Sequence, residues 1–187
     1  MEEILEQIKN FADEAHGEQT RKYTSDRYIV HPVRVMNICK EYTNDISILA
    51  AALLHDVLED TPTTKIEIEN FLMKLMDAKQ TEKTVELVEE LTDVFVKKDY
   101  PGWNRHKRKE KEAERLSTIC SEAQTVKYAD IMDNCAEIVD HDIGFAGIYL
   151  HECLAILKKI NKGDQRLYKR AVETVNRGVQ QLGEKKK

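Results

Sequence analysis

The chain carries six histidines, at positions 16, 31, 55, 106, 141 and 151. Two of them stand directly before an aspartate, His55-Asp56 and His141-Asp142. A His and an Asp set into an apolar wall need partners, because burying either alone is costly. A metal ion satisfies both, the imidazole offering a borderline nitrogen and the carboxylate a hard oxygen. His55-Asp56 closes the most apolar stretch of the chain, in AALLHDVLEDT, and Glu59-Asp60 follow it. Glu59 stands four residues after His55 and Asp60 four after Asp56, so each acid stacks one helical turn along from its mate. His141-Asp142 follows Asp140 at a helix junction without such company and reads as a surface or capping pair.

Two more pieces complete a candidate site. His31 precedes Pro32, whose ring fixes a backbone turn at a helix start, where a ligand can be held rigidly. Lys127, Asp130 and Asn134 follow a spacing of i, i+3, i+7 and share one helix face, in TVKYADIMDN. Each has a plainer reading, His31 as a helix cap and Asp130 as the ion-pair partner of Lys127. Together His31, His55, Asp56 and Asp130 supply two imidazoles and two carboxylates from three helices. That set suits one octahedral ion with positions open to water and substrate. The four cysteines, Cys39, Cys120, Cys135 and Cys153, form no CxxC pair and read as small buried hydrophobes rather than zinc ligands.

The elements that position these residues are helical. The 187 residues suit one domain, here taken as 1–180 with a flexible tail over 181–187. Hydrophobic residues make up 41% and charged ones 34%, which excludes a wholly disordered chain. The three prolines and seven glycines fall where helices should stop. Helical periodicity predicts an all-α bundle of eight or nine helices. The first ends at Gly17, and a polar loop covers 17–29. The third runs from Ile46 to about Asp60 behind a cap at Asn44 or Asp45. Thr64 with Glu67, and Ser121 with Gln124, read as capping boxes. A helix over about 81–96 precedes Pro101-Gly102. Asp164 caps the last helix, to about Gly178.

The strings HGEQTRKYTSDRYIVHPVRV, AALLHDVLEDT and TVKYADIMDN together resemble the HD-domain hydrolases of the RelA/SpoT type, above all their small stand-alone members, the small alarmone hydrolases. The resemblance covers about residues 10–145. It implies an all-α HD domain and Mn²⁺-dependent removal of the 3′-pyrophosphate from guanosine tetra- or pentaphosphate, the stringent-response alarmones. It assigns His31, His55, Asp56 and Asp130 to the metal, and Glu59 and Asp60 to catalysis. Arg21, Lys22 and Asn134 match nucleotide-binding positions. Mn²⁺ is the expected ion, with Fe²⁺, Co²⁺ and Zn²⁺ as alternatives. Two departures fall on the substrate side. Ser25-Asp26-Arg27 stands where the family has a Gly- and Pro-containing turn, and Cys135-Ala136-Glu137 follows Asn134 where an Arg is usual.

The net charge of −5 gives no basic footprint for general nucleic-acid binding, so the expected partner is a small phosphorylated nucleotide. No stretch approaches the twenty apolar residues of a membrane span, and the acidic Met1-Glu2-Glu3 start shows no leader, so the expected location is the cytoplasm. The run Arg105 to Lys109 reads as a solvated helix face paired with Glu110, Glu112 and Glu114. Two other functions stay open. One is an HD-type nucleotidase or phosphatase acting on another nucleotide, including a nicotinamide cofactor's phosphate. The other is a non-catalytic nucleotide sensor, which need not keep both Glu59 and Asp60.

Overall fold

Apolar residues recurring at helical spacing along nearly the whole chain fold, in a computed structural model that describes residues 1–185, into an all-α protein. Ten α-helices and no strand occur among the described residues. A first compact unit, Met1–Thr92, holds α1 (Glu2–His16), α2 (Val30–Lys40), α3 (Ile46–Leu54), α4 (Val57–Asp60), α5 (Lys65–Leu72) and α6 (Ala78–Leu91). A second, Asp93–Lys187, holds α7 (Arg105–Leu116), α8 (Ser121–His141), α9 (Ile143–Leu157) and α10 (Gln165–Lys185).

In the first unit α3 is the centre, and α1, α2 and α6 pack around it. Every residue from Leu49 to Leu54 is fully buried. Each such leucine stabilises the fold by about 1.5–3 kcal/mol. Asp45 caps α3 by accepting from Ser47 N–H at 2.9 Å. The helix does not continue to Asp60 as its periodicity predicts. His55 Nδ1 lies 2.9 Å from the Ala52 carbonyl, the acceptor that an unbroken helix would offer to Asp56 N–H. The chain turns at His55-Asp56 and restarts as the short α4, which accounts for the tenth helix. The Thr64–Glu67 capping box is present. An unforeseen second box, Asp77 with Gln80, starts α6 at Ala78, and Thr92 in extended conformation ends it, so the helix expected over 81–96 lies earlier.

In the second unit α9 and α10 pack on α8, and α7 packs on α9. The cap of α8 is Cys120, whose Sγ accepts from Ala123 N–H, and not Ser121. Gln124, expected to complete a box there, is buried and donates to the Ile119 carbonyl instead. Gly163 is required by close approach, because a Cβ there would come within 2.6 Å of the Tyr128 ring. The charged face of α7 is not wholly solvated. Glu112 is buried, pairs with Arg115 and accepts from the backbone of Val94 and Phe95, both at 3.0 Å. Lys109 turns to Asp93 at 2.7 Å. Asp164 caps α10 through Arg166 and Leu167 N–H. That helix passes the expected stop at Gly178 and includes 181–185, because Leu182 is buried and Lys185 Nζ donates to the Val139 carbonyl. Of the expected tail, residues 186 and 187 lie outside the described residues. No helix among those described is long and apolar enough to cross a membrane.

Candidate metal centre

Three of the expected ligands meet in the first unit. His31 occupies the first turn of α2, where Pro32 needs no N–H donor, and its own N–H donates to the Tyr28 carbonyl at 3.0 Å. His55 and Asp56 stand at the break between α3 and α4. Ligand atoms of His31, His55 and Asp56 all lie within 4.8 Å of one another. Both histidines are buried, at 1% and 3% exposure.

The donor set fits a cation. A carbonyl only accepts, so His55 Nδ1 carries the ring proton and neutral Nε2 presents a lone pair. That lone pair faces Asp56 Oδ2 at 3.0 Å, with His31 Nε2 at 3.6 Å from the same oxygen. Two acceptors so close repel unless a positive charge, a proton or a metal ion, joins them. A metal-ligating His is ordinarily held by a hydrogen bond on its other nitrogen, as the Ala52 carbonyl holds His55. His31, His55 and Asp56 can therefore hold a divalent ion.

Around this trio the sequence reading missed Tyr28. Its hydroxyl donates to Asp56 Oδ2 at 2.7 Å, and its ring stands edge-on to His31. The signal was one of two tyrosines in a mostly polar loop, three positions before His31. Asp60 lies at the end of α4. It is exposed, and its pKa is raised, first by partial desolvation of the carboxyl and then by repulsion from Asp56. A Tyr28 hydrogen bond and the neighbouring imidazoles of His16 and His55 act in the opposite sense. Glu59 is exposed on the same short helix.

The loop before α2 is ordered by its own backbone. Arg21 N–H donates to the Asp26 carbonyl and Tyr28 N–H to the Gln19 carbonyl, both at 2.9 Å. Thr24 Oγ1 to Asp26 Oδ2 closes the tip at 3.0 Å, so Ser25-Asp26-Arg27 makes a turn without Gly or Pro. The turn sets Arg21, 8% exposed, over the Tyr28 ring at 5.5 Å. Lys22 is bonded to Tyr23 Oη at 2.8 Å.

The other expected residues lie in the second unit, on α8, and share a face as their spacing predicts. Asp130 is buried, with Oδ2 at 2.8 Å from Lys127 Nζ and Oδ1 accepting from Asn134 Nδ2 at 2.6 Å. The plainer reading of Asp130 as the Lys127 ion-pair partner thus holds in this structure.

A family model described as HD domain matches residues 28–135, which takes in His31, His55-Asp56 and Asp130. The chain belongs to the HD domain family. Curated relatives resemble parts of this HD domain. A guanosine-3′,5′-bis(diphosphate) 3′-pyrophosphohydrolase of Aquifex aeolicus is 48% identical over 66 residues, 35% of this chain and 9% of that protein. The bifunctional (p)ppGpp synthase/hydrolase SpoT of Escherichia coli is 46% identical over 70 residues, 37% of this chain and 10% of that protein. The matched segments thus span 9% and 10% of those two relatives. A solved structure, described as a metazoan ortholog of SpoT that hydrolyzes ppGpp, shares the HD domain's fold. Its TM-score is 0.78, at 21% identity over 93% of this chain and 94% of that one.

Proposed function

We propose that this HD domain is a (p)ppGpp 3′-pyrophosphohydrolase that works with Mn²⁺. The observation that carries the reading is the His31, His55, Asp56 cluster, with a lone pair set against a carboxylate oxygen at 3.0 Å and a second carboxyl, Asp60, beside it. The curated relatives that bear this activity in their names supply the substrate class. The resemblance adds Asp130 of the second unit as a fourth ligand, an assignment that rests on its motif alone.

His31, His55 and Asp56 would hold a divalent ion, which when bound would supply acidified water and offset charge on the attacked phosphoryl group. The chain's own groups do the rest. Tyr28 orients Asp56 through its hydroxyl. Asp60, with its raised pKa, relays a proton or acts as the acid for the leaving 3′-oxygen, and Glu59 orients or deprotonates the attacking water. Arg21 and Lys22 supply the phosphate contacts that a net charge of −5 does not. Asn134 faces the nucleoside in this reading. The four cysteines are free thiols, which suits a reducing cytoplasm.

The turn at Ser25-Asp26-Arg27 supports relaxed base selectivity, so turnover of the adenine analogue is expected. The deciding experiment incubates the Mn²⁺-loaded chain with guanosine tetraphosphate and identifies the products. Release of intact pyrophosphate is expected. Orthophosphate alone, or preferred turnover of a simple 5′-nucleotide or a nicotinamide cofactor's phosphate, makes the chain another HD-type phosphatase. Tight binding without turnover makes it a sensor.

A further inference from the structure

Buried polar atoms in a folded chain are nearly always satisfied, so those that are not call for a reason. Two stand on α1, one turn apart: Asp13 Oδ1 and His16 Nε2 make no hydrogen bond within the protein although both are shut off from solvent. Asp13 has a partner on its other oxygen, Arg27 at 2.9 Å. His16 is the sharper case, because the whole residue is buried, at 6% exposure. Its Nδ1 lies 2.9 Å from Gln19 Oε1. An amide oxygen only accepts, so Nδ1 carries the proton and Nε2 offers a lone pair.

The ring is held where a site residue belongs. It lies against the Tyr28 ring, with centroids 4.4 Å apart, and Tyr28 is the residue whose hydroxyl meets Asp56. Helix α1 packs on α4, which ends in Asp60. Asp60 lies close enough to His16 to feel its imidazole. A well-packed core position would be filled better by an apolar residue than by an imidazole with an unmet nitrogen.

We propose that His16 is a positioning residue, whose Nε2 holds the carboxyl of Asp60 in place through one bridging water. The bridge suits a group that gains and loses a proton. Water donates to Nε2 in either state. With its other valences it donates to ionised Asp60 or accepts from protonated Asp60. A direct bond to Nε2 would serve the protonated acid alone. The role of Asp60 in turnover rests on the function proposed above. The pairing with His16 does not.

The test separates the two. His16→Phe keeps a ring against Tyr28 and removes the nitrogen. In the Mn²⁺-loaded chain it is expected to leave bound metal unchanged and KM within about twofold, while kcat falls about tenfold, one lost hydrogen bond's worth. In an Asp60→Asn background the same change should cost less than about twofold, since the group it acts through is already disabled. An equal loss in both backgrounds, or His16→Phe at the wild-type rate, overturns the proposal. A second measurement needs no metal, no turnover and no folded Phe variant. In the metal-free chain, Asp60→Asn should move the ¹⁵N resonance of His16 Nε2 and leave the other histidines distant from Asp60 in place. An unmoved resonance overturns the pairing. A wild type that releases no pyrophosphate, with the resonance shift intact, sinks the proposed activity and keeps the pairing.

Discussion

The same dipeptide, His-Asp, occurs twice and meets opposite fates. In both copies the aspartate stands at the N-cap of the helix that follows. Asp142 does what that position invites. Its Oδ1 accepts from Phe145 N–H at 3.0 Å, and exposed His141 ends the preceding helix. Asp56 makes no side-chain cap to α4. Its carboxylate is turned to His31, His55 and Tyr28 instead. A cap is worth about 0.5–2 kcal/mol to a helix, and α4, four residues long, does without it. What separates the copies is how the helix before them ends. His55 follows directly on six fully buried residues and is itself buried, whereas α8, though largely buried along its length, reaches solvent at exposed Asp140 and His141. A dipeptide can serve as part of a candidate metal site when its carboxylate is turned from the helix cap to neighbouring imidazoles.

The contrast breaks most sharply at the histidines. His55→Ala should abolish stoichiometric Mn²⁺ binding and activity together, while His141→Ala keeps both. Metal analysis of the two purified variants decides it, and equal metal content would dissolve the distinction. Next in size, Glu59→Gln and Asp60→Asn should leave metal bound and lower kcat by about 10²–10⁴. A double variant turning over at the wild-type rate removes both acids from the mechanism. Lys22→Ala should raise KM, by an amount corresponding to about 1.5–3 kcal/mol. Steady-state kinetics on guanosine substrates of increasing phosphate number should show the effect growing with charge.

The smallest effects concern stability. Asp142→Ala should cost about 1 kcal/mol in denaturant titrations, as the loss of a cap does. Asp60 should behave in the reverse sense in the metal-free chain. Its folded pKa lies above the ordinary 3.8, so ionisation opposes folding. That penalty is absent below 3.8 and complete above the folded pKa. Asp60→Asn should therefore melt higher than wild type at neutral pH and lose its advantage as pH falls below 3.8. An identical melting profile across that range would mean that the carboxyl is fully solvated.

Periodicity made most helices legible, because apolar spacing reports which face is buried whatever the neighbours are. It could not show the break at His55-Asp56, since AALLHDVLED keeps its helical rhythm across the turn. The break depends on an imidazole folding back on a carbonyl. Glu112 was hidden for a related reason, because a carboxylate that accepts from the backbone of a distant loop looks like any other charge in a basic and acidic run. The trio His31, His55, Asp56 was readable from residue type and spacing. Tyr28 and His16 were not, since one lies in a loop without period and the other looks like the polar end of an amphipathic helix. Both matter through contacts at longer range, with Asp56 and across to Tyr28.

The complete burial of α3 from Leu49 to Leu54 has a consequence in time as well as in energy. Amides in such a segment exchange with solvent only through the opening of the whole unit, whereas frayed ends exchange by local motion. His55 follows directly on this segment. Its backbone is therefore anchored to the segment of the first unit expected to exchange slowest. Hydrogen exchange should find the amides of 49–54 protected to the limit of global unfolding, and those of the short α4 exchanging faster. His55 and the acids beyond it thus sit on either side of a boundary between two clocks, one set by unfolding and the other by the flicker of a single helical turn.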